Sequence, residues 1–249
     1  QIKDPKSRVL QIQGPASIDI MKLASSGKID ENMPYFTSNF FDLGGQTLYV
    51  SRTGFTNELG FEIFCDGFKT DHLALWDYLI ECGKPYGMQF SASRAMTIRR
   101  IEGGIFGNLT DIDTTITPFE AGLGYFVNMD KDFIGKDALI KKDKRTCLFG
   151  ITCKTAVPKA GSKIKINDKQ VGYITAVVPS PTLQQGIGYV RFYEPNDYIN
   201  KEIEIILPDN SSHTGVVVDL PFYDKEKKIV KGIDRSIPIK PDSNSFDAK

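Results

Sequence analysis

The spacing of apolar positions changes along the chain and divides it into two kinds of sequence. In the opening stretch "VLQIQGPASIDIMKLAS" a short alternating run meets a Gly-Pro turn, after which the pattern is helical as far as Gly27. Residues 39–52, "NFFDLGGQTLYVSR", alternate on either side of Gly44-Gly45 and predict a hairpin, with Leu48 and Val50 set against Thr47 and Tyr49. "FEIFC" at 61–65 predicts another short strand. "KTDHLALWDYLIECG" has apolar residues at 73, 75, 76, 79 and 80 and stops at Gly83, the pattern of a helix laid on a sheet. Further helices are expected over about 92–103 and, with a basic end, over "FIGKDALIKKDKR". Strands and helices mix without the regular alternation of a doubly wound sheet, so this half is α+β.

From about residue 146 the pattern changes. "CLFGITCK", "KIKIND", "QVGYITAVV", "GIGYVRF", "EIEIIL" and "HTGVVVDL" are short alternating runs split by Gly, Pro and Asn, as in an all-β barrel or sandwich. A boundary is expected at 141–146, in "KKDKRT". Ahead of it, "GNLTDIDTTITP" is dense in turn and hydroxyl residues and long for a connection inside a compact domain, which makes it a candidate functional segment.

Composition narrows the chemistry. A length of 249 residues allows one large domain or two ordinary ones. The 31 basic and 31 acidic residues cancel, so no charge excess points to nucleic acid or a membrane surface. The one charge run, "KEKKIVKG" at 225–232, reads as a solvated tail. No apolar run approaches the roughly 18 residues of a membrane span, and the opening residues lack a secretory pattern. The four cysteines (Cys65, Cys82, Cys147, Cys153) lack CxxC spacing and read as free, packed thiols of a reducing compartment. Cys147 and Cys153 share one face if they lie on one strand. The expected localisation is cytoplasmic. Two histidines, His72 and His213, are too few for a usual zinc site and speak against a Ser-His-acid triad; no metal site is expected. No Walker-type or GxGxxG loop is present. By pattern alone Glu62, the one acid in "FEIFC", is a strand carboxylate facing water.

Several motifs in order alter that reading. "SRTGFTNELGFEI" is similar to "SRTGYTGEDGFEI" of the aminomethyltransferase family, whose best-known member is the T-protein of the glycine cleavage system. "IRRIEGG…TDID…TITPFEAGLGY" at 98–125 resembles the family's "LRLEAG…NDID…TTPxEAGLGW", and "DFIGKDAL" at 132–139 resembles the segment that follows. "VGYITAVVPSPTLQQGIGYV" at 171–190 resembles its barrel stretch, and "VVVDLPFYD" its closing "LPF". The resemblance spans residues 8 to 224. It implies an α+β protein: mixed-sheet folate-binding lobes, then a C-terminal antiparallel β-barrel. Residues 1–143 correspond to the folate-binding region, 144–224 to the barrel and 225–249 to a polar tail. Family members begin with a further segment, about a third of the full chain, that carries the catalytic aspartate. That N-terminal lobe is expected to be missing here, and no catalytic residue is assigned.

The resemblance implies tetrahydrofolate as cofactor and carbon transfer to or from its N5. The family's pterin-binding glutamate falls on Glu62, whose carboxylate would accept two parallel N–H donors of the pterin edge. Phe55 stands at the family's tyrosine position and keeps a ring that could stack but no hydroxyl. Tyr125 matches a tryptophan near the folate; a core aromatic in a Gly-rich turn is the other reading. Departures are equally plain. Met96 replaces an arginine that contacts folate, Asn108-Leu109-Thr110 replaces Tyr-Gly-Asn, and "NEL" at 57–59 replaces Gly-Glu-Asp. Arg100 and Glu102 read as a structural pair on their helix, and Asp111 and Asp113 as caps of their own loop.

The expected function is therefore a tetrahydrofolate-dependent aminomethyl- or methyltransferase, with folate and a small methylated or amine one-carbon donor as partners. A lipoyl carrier protein joins only in a true T-protein; nucleic acid and membrane are not expected partners. The alternatives are a demethylase of an osmolyte such as dimethylsulfoniopropionate, which shares "DLPF" and the lost arginine, and a non-catalytic folate-binding relative. The latter carries K-G-C-x-G-Q where this chain has Phe133 in the cysteine's place. The folate domain of a flavin-dependent amine dehydrogenase would need a dinucleotide-binding domain that these residues do not supply.

Overall fold

The computed structural model describes residues 4–237. They form two compact units: residues up to Met96 together with the stretch from Glu226 onward, and Thr97–Lys225.

The first unit contains β1 (Arg8–Gln13), α1 (Ser17–Ala24), β2 (Ser38–Leu43), β3 (Gln46–Ser51), β4 (Gly60–Cys65) and α2 (His72–Gly83). The strands form one sheet in the order β1-β4-β3-β2. Gly44 and Gly45, at φ 63° and 82°, close the β2–β3 hairpin in the left-handed conformation that a two-residue turn between twisted strands requires. Each neighbouring pair is antiparallel, so among the described residues this sheet is not mixed as expected: β2, β3 and β4 follow one another through short connections, and β1 lies antiparallel beside β4 at the edge. One face is core. Phe61, Ile63 and Cys65 of β4 and Leu48 and Val50 of β3 pack with Met21 of α1 and with Leu75 and Leu79 of α2. Asp71 caps α2 by accepting the Ala74 amide at 3.0 Å.

The division between the units falls within α3 (Ser93–Glu102). In the second unit α4 covers only Lys136–Ile140, shorter than its sequence predicts. Asp143 accepts the backbone N–H and the guanidinium of Arg145, a local turn that competes with continuing the helix. A closed six-stranded barrel follows: β5 (Leu148–Cys153), β6 (Lys163–Ile166), β7 (Lys169–Ser180), β8 (Gln185–Phe192), β9 (Glu202–Ile206) and β10 (Ser212–Val218). Their order is β10-β5-β8-β7-β6-β9, and every pair is antiparallel. β7 shifts register between Ile174 and Ala176, a bulge of the kind that bends a long strand around a barrel. Closure settles the choice between barrel and sandwich.

All four cysteines are free and buried, and Cys147 and Cys153 share one barrel cluster. The stretch after Lys225 is not wholly solvated: Val230 is 4% exposed, and the Lys231 carbonyl accepts Arg52 Nη2 at 2.8 Å. Among the described residues no helix is long and apolar enough to cross a membrane.

Candidate functional site

Opposite its core, the first unit's sheet presents a face with two kinds of row. Register places Gln11, Glu62, Ser51 and Ser38 side by side across all four strands. The adjacent row is Val9, Phe64, Tyr49 and Phe40. The Phe64 and Tyr49 rings are 5.9 Å apart, and those of Tyr49 and Phe40 5.2 Å apart. Phe40 is 65% and Val9 43% exposed, so exposed apolar surface borders the polar row.

Glu62 is half-buried and held from both sides. Thr53 Oγ1 donates to Oε2 at 2.5 Å, and Gln11 Nε2 donates to Oε1 at 3.3 Å. Ser51 Oγ lies 2.5 Å from Thr53 Oγ1. Burial raises the Tyr35 hydroxyl above the usual phenol range, and the Glu62 charge adds to the shift.

The 52–59 loop is shaped by Gln13. Its amide nitrogen donates to the Thr53 carbonyl at 3.2 Å and the Phe61 carbonyl at 3.3 Å, while its oxygen accepts from Thr56 at 2.7 Å. A Cβ on Gly54 or Gly60 would fall 2.1 or 2.3 Å from that side chain, so both glycines make room for it. Asn57, one of the departures, sits at φ 58°, a region that asparagine enters more readily than most residues, and its Oδ1 accepts from Lys227 Nζ at 2.8 Å. Phe55 is half-buried in this loop, which belongs to the same unit as Glu62. Tyr125 belongs to the other unit, on a short 3-10 turn (Gly124–Phe126). It is 94% exposed, so the core reading does not hold for it. Met96 is half-buried on α3.

The second unit buries a separate polar network. Arg100 donates to Asp111 Oδ2 at 2.8 Å, and Asp111 also accepts from Gly107 N at 2.7 Å and Thr175 Oγ1 at 2.9 Å. Glu102 accepts from Arg99 at 2.5 Å, Ser180 Oγ at 2.6 Å and the Thr182 amide at 3.2 Å. The expected Arg100–Glu102 pair is replaced by these partners, because residues two apart on a helix do not face each other. Asp113 does cap its loop, accepting the Thr115 amide at 2.8 Å and hydroxyl at 2.6 Å, and these bonds hold its carboxyl below the usual range.

Thr53, Ser51 and Gln11 are residues that pattern reasoning did not single out. Thr53 lies inside the "SRTG" motif, but Gln11 becomes a neighbour of Glu62 only through the β1–β4 register.

An antiparallel α+β unit joined to a closed six-stranded barrel is the class that this architecture defines. Residues 2–131 match the family model described as GCVT N-terminal domain, and residues 144–224 match the glycine cleavage T-protein C-terminal barrel domain. The chain belongs to the aminomethyltransferase family. It is 34% identical to an aminomethyltransferase of Caldanaerobacter subterraneus subsp. tengcongensis over 88% of this chain and 59% of that protein. It is 37% identical to one from Alkaliphilus oremlandii over 91% of this chain and 62% of that protein. In fold it is similar to the crystal structure of glycine cleavage system aminomethyltransferase T from Bartonella henselae: the TM-score is 0.73 at 22% identity, over 88% of this chain and 60% of that one. The chain thus spans about three-fifths of the length of these relatives.

Proposed function

We propose that this chain binds tetrahydrofolate through Glu62 and takes part in one-carbon transfer, of an aminomethyl or a methyl group, to or from it. The observation that carries the reading is the setting of the Glu62 carboxylate. Thr53 and Gln11 occupy one acceptor position on each oxygen, which leaves each oxygen further acceptor capacity on an outward sheet face. A carboxylate held in this way suits two parallel N–H donors, as on the edge of a pterin that carries a ring N–H beside an exocyclic amine. The adjoining Phe64, Tyr49 and Phe40 give a flat ligand apolar surface, and Phe55 on the 52–59 loop supplies a further ring. Tyr125 enters the proposal from the family resemblance alone.

The group that tetrahydrofolate supplies is its N5, which carries the one-carbon unit; these residues supply binding and orientation. Family membership supports an aminomethyl donor on a lipoyl carrier protein. Met96 in place of an arginine favours, as the second reading, a small methylated donor such as an osmolyte. The cytoplasm fits a chain with four buried free thiols.

Thermal melting with and without tetrahydrofolate tests the reading. Saturating tetrahydrofolate should raise the melting temperature of the chain, and Glu62→Ala should abolish the rise while leaving the unliganded protein folded. The same rise in Glu62→Ala would overturn the assignment.

A further inference from the structure

We infer that Thr53, backed by Ser51, is the positioning residue of this site. Its hydroxyl holds the plane of the Glu62 carboxylate so that a lone pair on each oxygen stays aimed at an incoming pair of N–H donors. The inference rests on the reading of Glu62 given above and assigns a task to two hydroxyls, one bonded to the carboxylate and one bonded behind it, that act through Glu62 rather than on the reacting atoms.

The direction of each hydrogen bond follows from valence. An ionised carboxylate only accepts, so in the 2.5 Å contact with Glu62 Oε2 the donor is Thr53. A threonine hydroxyl has one proton, and that proton is committed. In its 2.5 Å contact with Ser51 Oγ, Thr53 must therefore accept and Ser51 donate. The result is a one-way chain, Ser51 to Thr53 to Glu62, in which each bond polarises the next. Ser51 is only 8% exposed, which shields the chain from competing water.

The surroundings hold this chain in place. Ser51 is the register partner of Glu62 on β3, and Gln11 is its partner on β1, so the sheet itself sets the spacing. Gln13 ties down the Thr53 backbone by donating to its carbonyl at 3.2 Å. The Gln11 bond to Oε1 is longer, at 3.3 Å, which leaves Thr53 as the stronger restraint. The terminal torsion of a glutamate is otherwise broad, and a ligand would have to order it on binding.

Calorimetric titration of the chain with tetrahydrofolate tests the inference. Thr53→Val keeps the shape but removes the donor, and should weaken binding about tenfold, the usual scale for a hydrogen bond to a charged group. Thr53→Ser restores the donor and should bind within about twofold of the original chain, and Ser51→Ala should lose about threefold. A pterin analogue without the 2-amino group offers Glu62 a single donor, so Thr53→Val should bind it about as well as the original chain does. A merely structural role would weaken both ligands alike. Tight tetrahydrofolate binding by Thr53→Val, or equal losses in Thr53→Val and Thr53→Ser, overturns the inference. If Thr53→Val is too unstable to titrate, an unchanged affinity in Ser51→Ala overturns it. Glu62→Ala separates the two levels: weak binding there with full affinity in Thr53→Val removes only the positioning role, whereas full affinity in Glu62→Ala removes the reading beneath it.

Discussion

Glu102 and Asp111 carry acidic side chains into the second unit, at 0% and 1% exposure, and each is answered by an arginine and by neutral donors. Taking two charges out of water costs more than their attraction returns unless hydrogen bonds fill the remaining positions. Asp111 meets that condition with Arg100, Gly107 and Thr175. Its replacement by alanine leaves Arg100, itself 7% exposed, beside an unfilled site. Urea denaturation should show Asp111→Ala less stable by about 3–5 kcal/mol, and Asp113→Ala, on the exposed part of the same loop, far less affected. Equal losses would refute the distinction between the two acids. In the sequence both were loop aspartates bonding to their own backbone, and both do so. What spacing could not reveal is the return of that loop to α3, which puts Arg100 on Asp111. Glu62 shows the same division: its motif marks it, whereas Gln11 and Ser51 join it only through strand register.

At the scale of elements, the periodicity of apolar residues was legible nearly everywhere, and the partnering of strands was not. The hairpin at Gly44-Gly45 follows from local turn chemistry, and α2 from its apolar stripe and the stop at Gly83. Closure of the six strands is a long-range property, since β10 meets β5 from far along the chain. The glycines of β8 carry the trace of that closure. A Cβ on Gly188 would lie 2.2 Å from the Ala176 carbonyl oxygen and 3.0 Å from Val177 Cα, both main-chain atoms of β7 that cannot swing aside. Gly188→Ala should therefore cost about 3 kcal/mol, the upper end of overpacking. Gly161 is a useful comparison: it lies at φ 83° with nothing within 4 Å of an added Cβ, so Gly161→Ala should cost only about 1 kcal/mol of backbone strain. Reversal of that order in thermal melts would mean that β7 and β8 yield more easily than their contacts imply.

The first unit is assembled from two separated stretches of the chain, and the second unit lies between them in sequence. The returning stretch contributes specific partners. Arg52, 6% exposed and with its charge disfavoured by burial, donates to the carbonyls of Met33 and, at 2.8 Å, Lys231. Lys227 reaches Asn57, Arg235 reaches Asp19 and the Pro15 carbonyl, and Val230 is 4% exposed. Without Lys231 a buried guanidinium loses an acceptor, and without Val230 an apolar surface is uncovered. Removal of residues 226–249 should thus destabilise the first unit by roughly 2–4 kcal/mol. The chain carries its own probe for this, because its single tryptophan, Trp76, lies on α2. The urea midpoint reported by Trp76 fluorescence should fall in the shortened chain, while hydrogen-exchange protection of β5 and β8 in the barrel stays as it was. Val230→Asp in the full chain should reproduce much of the fall, since it sets a charge where an apolar side chain is covered. An unmoved Trp76 midpoint in both variants would show that the returning stretch merely lies against the first unit; loss of barrel protection together with the Trp76 signal would show that the two units unfold as one.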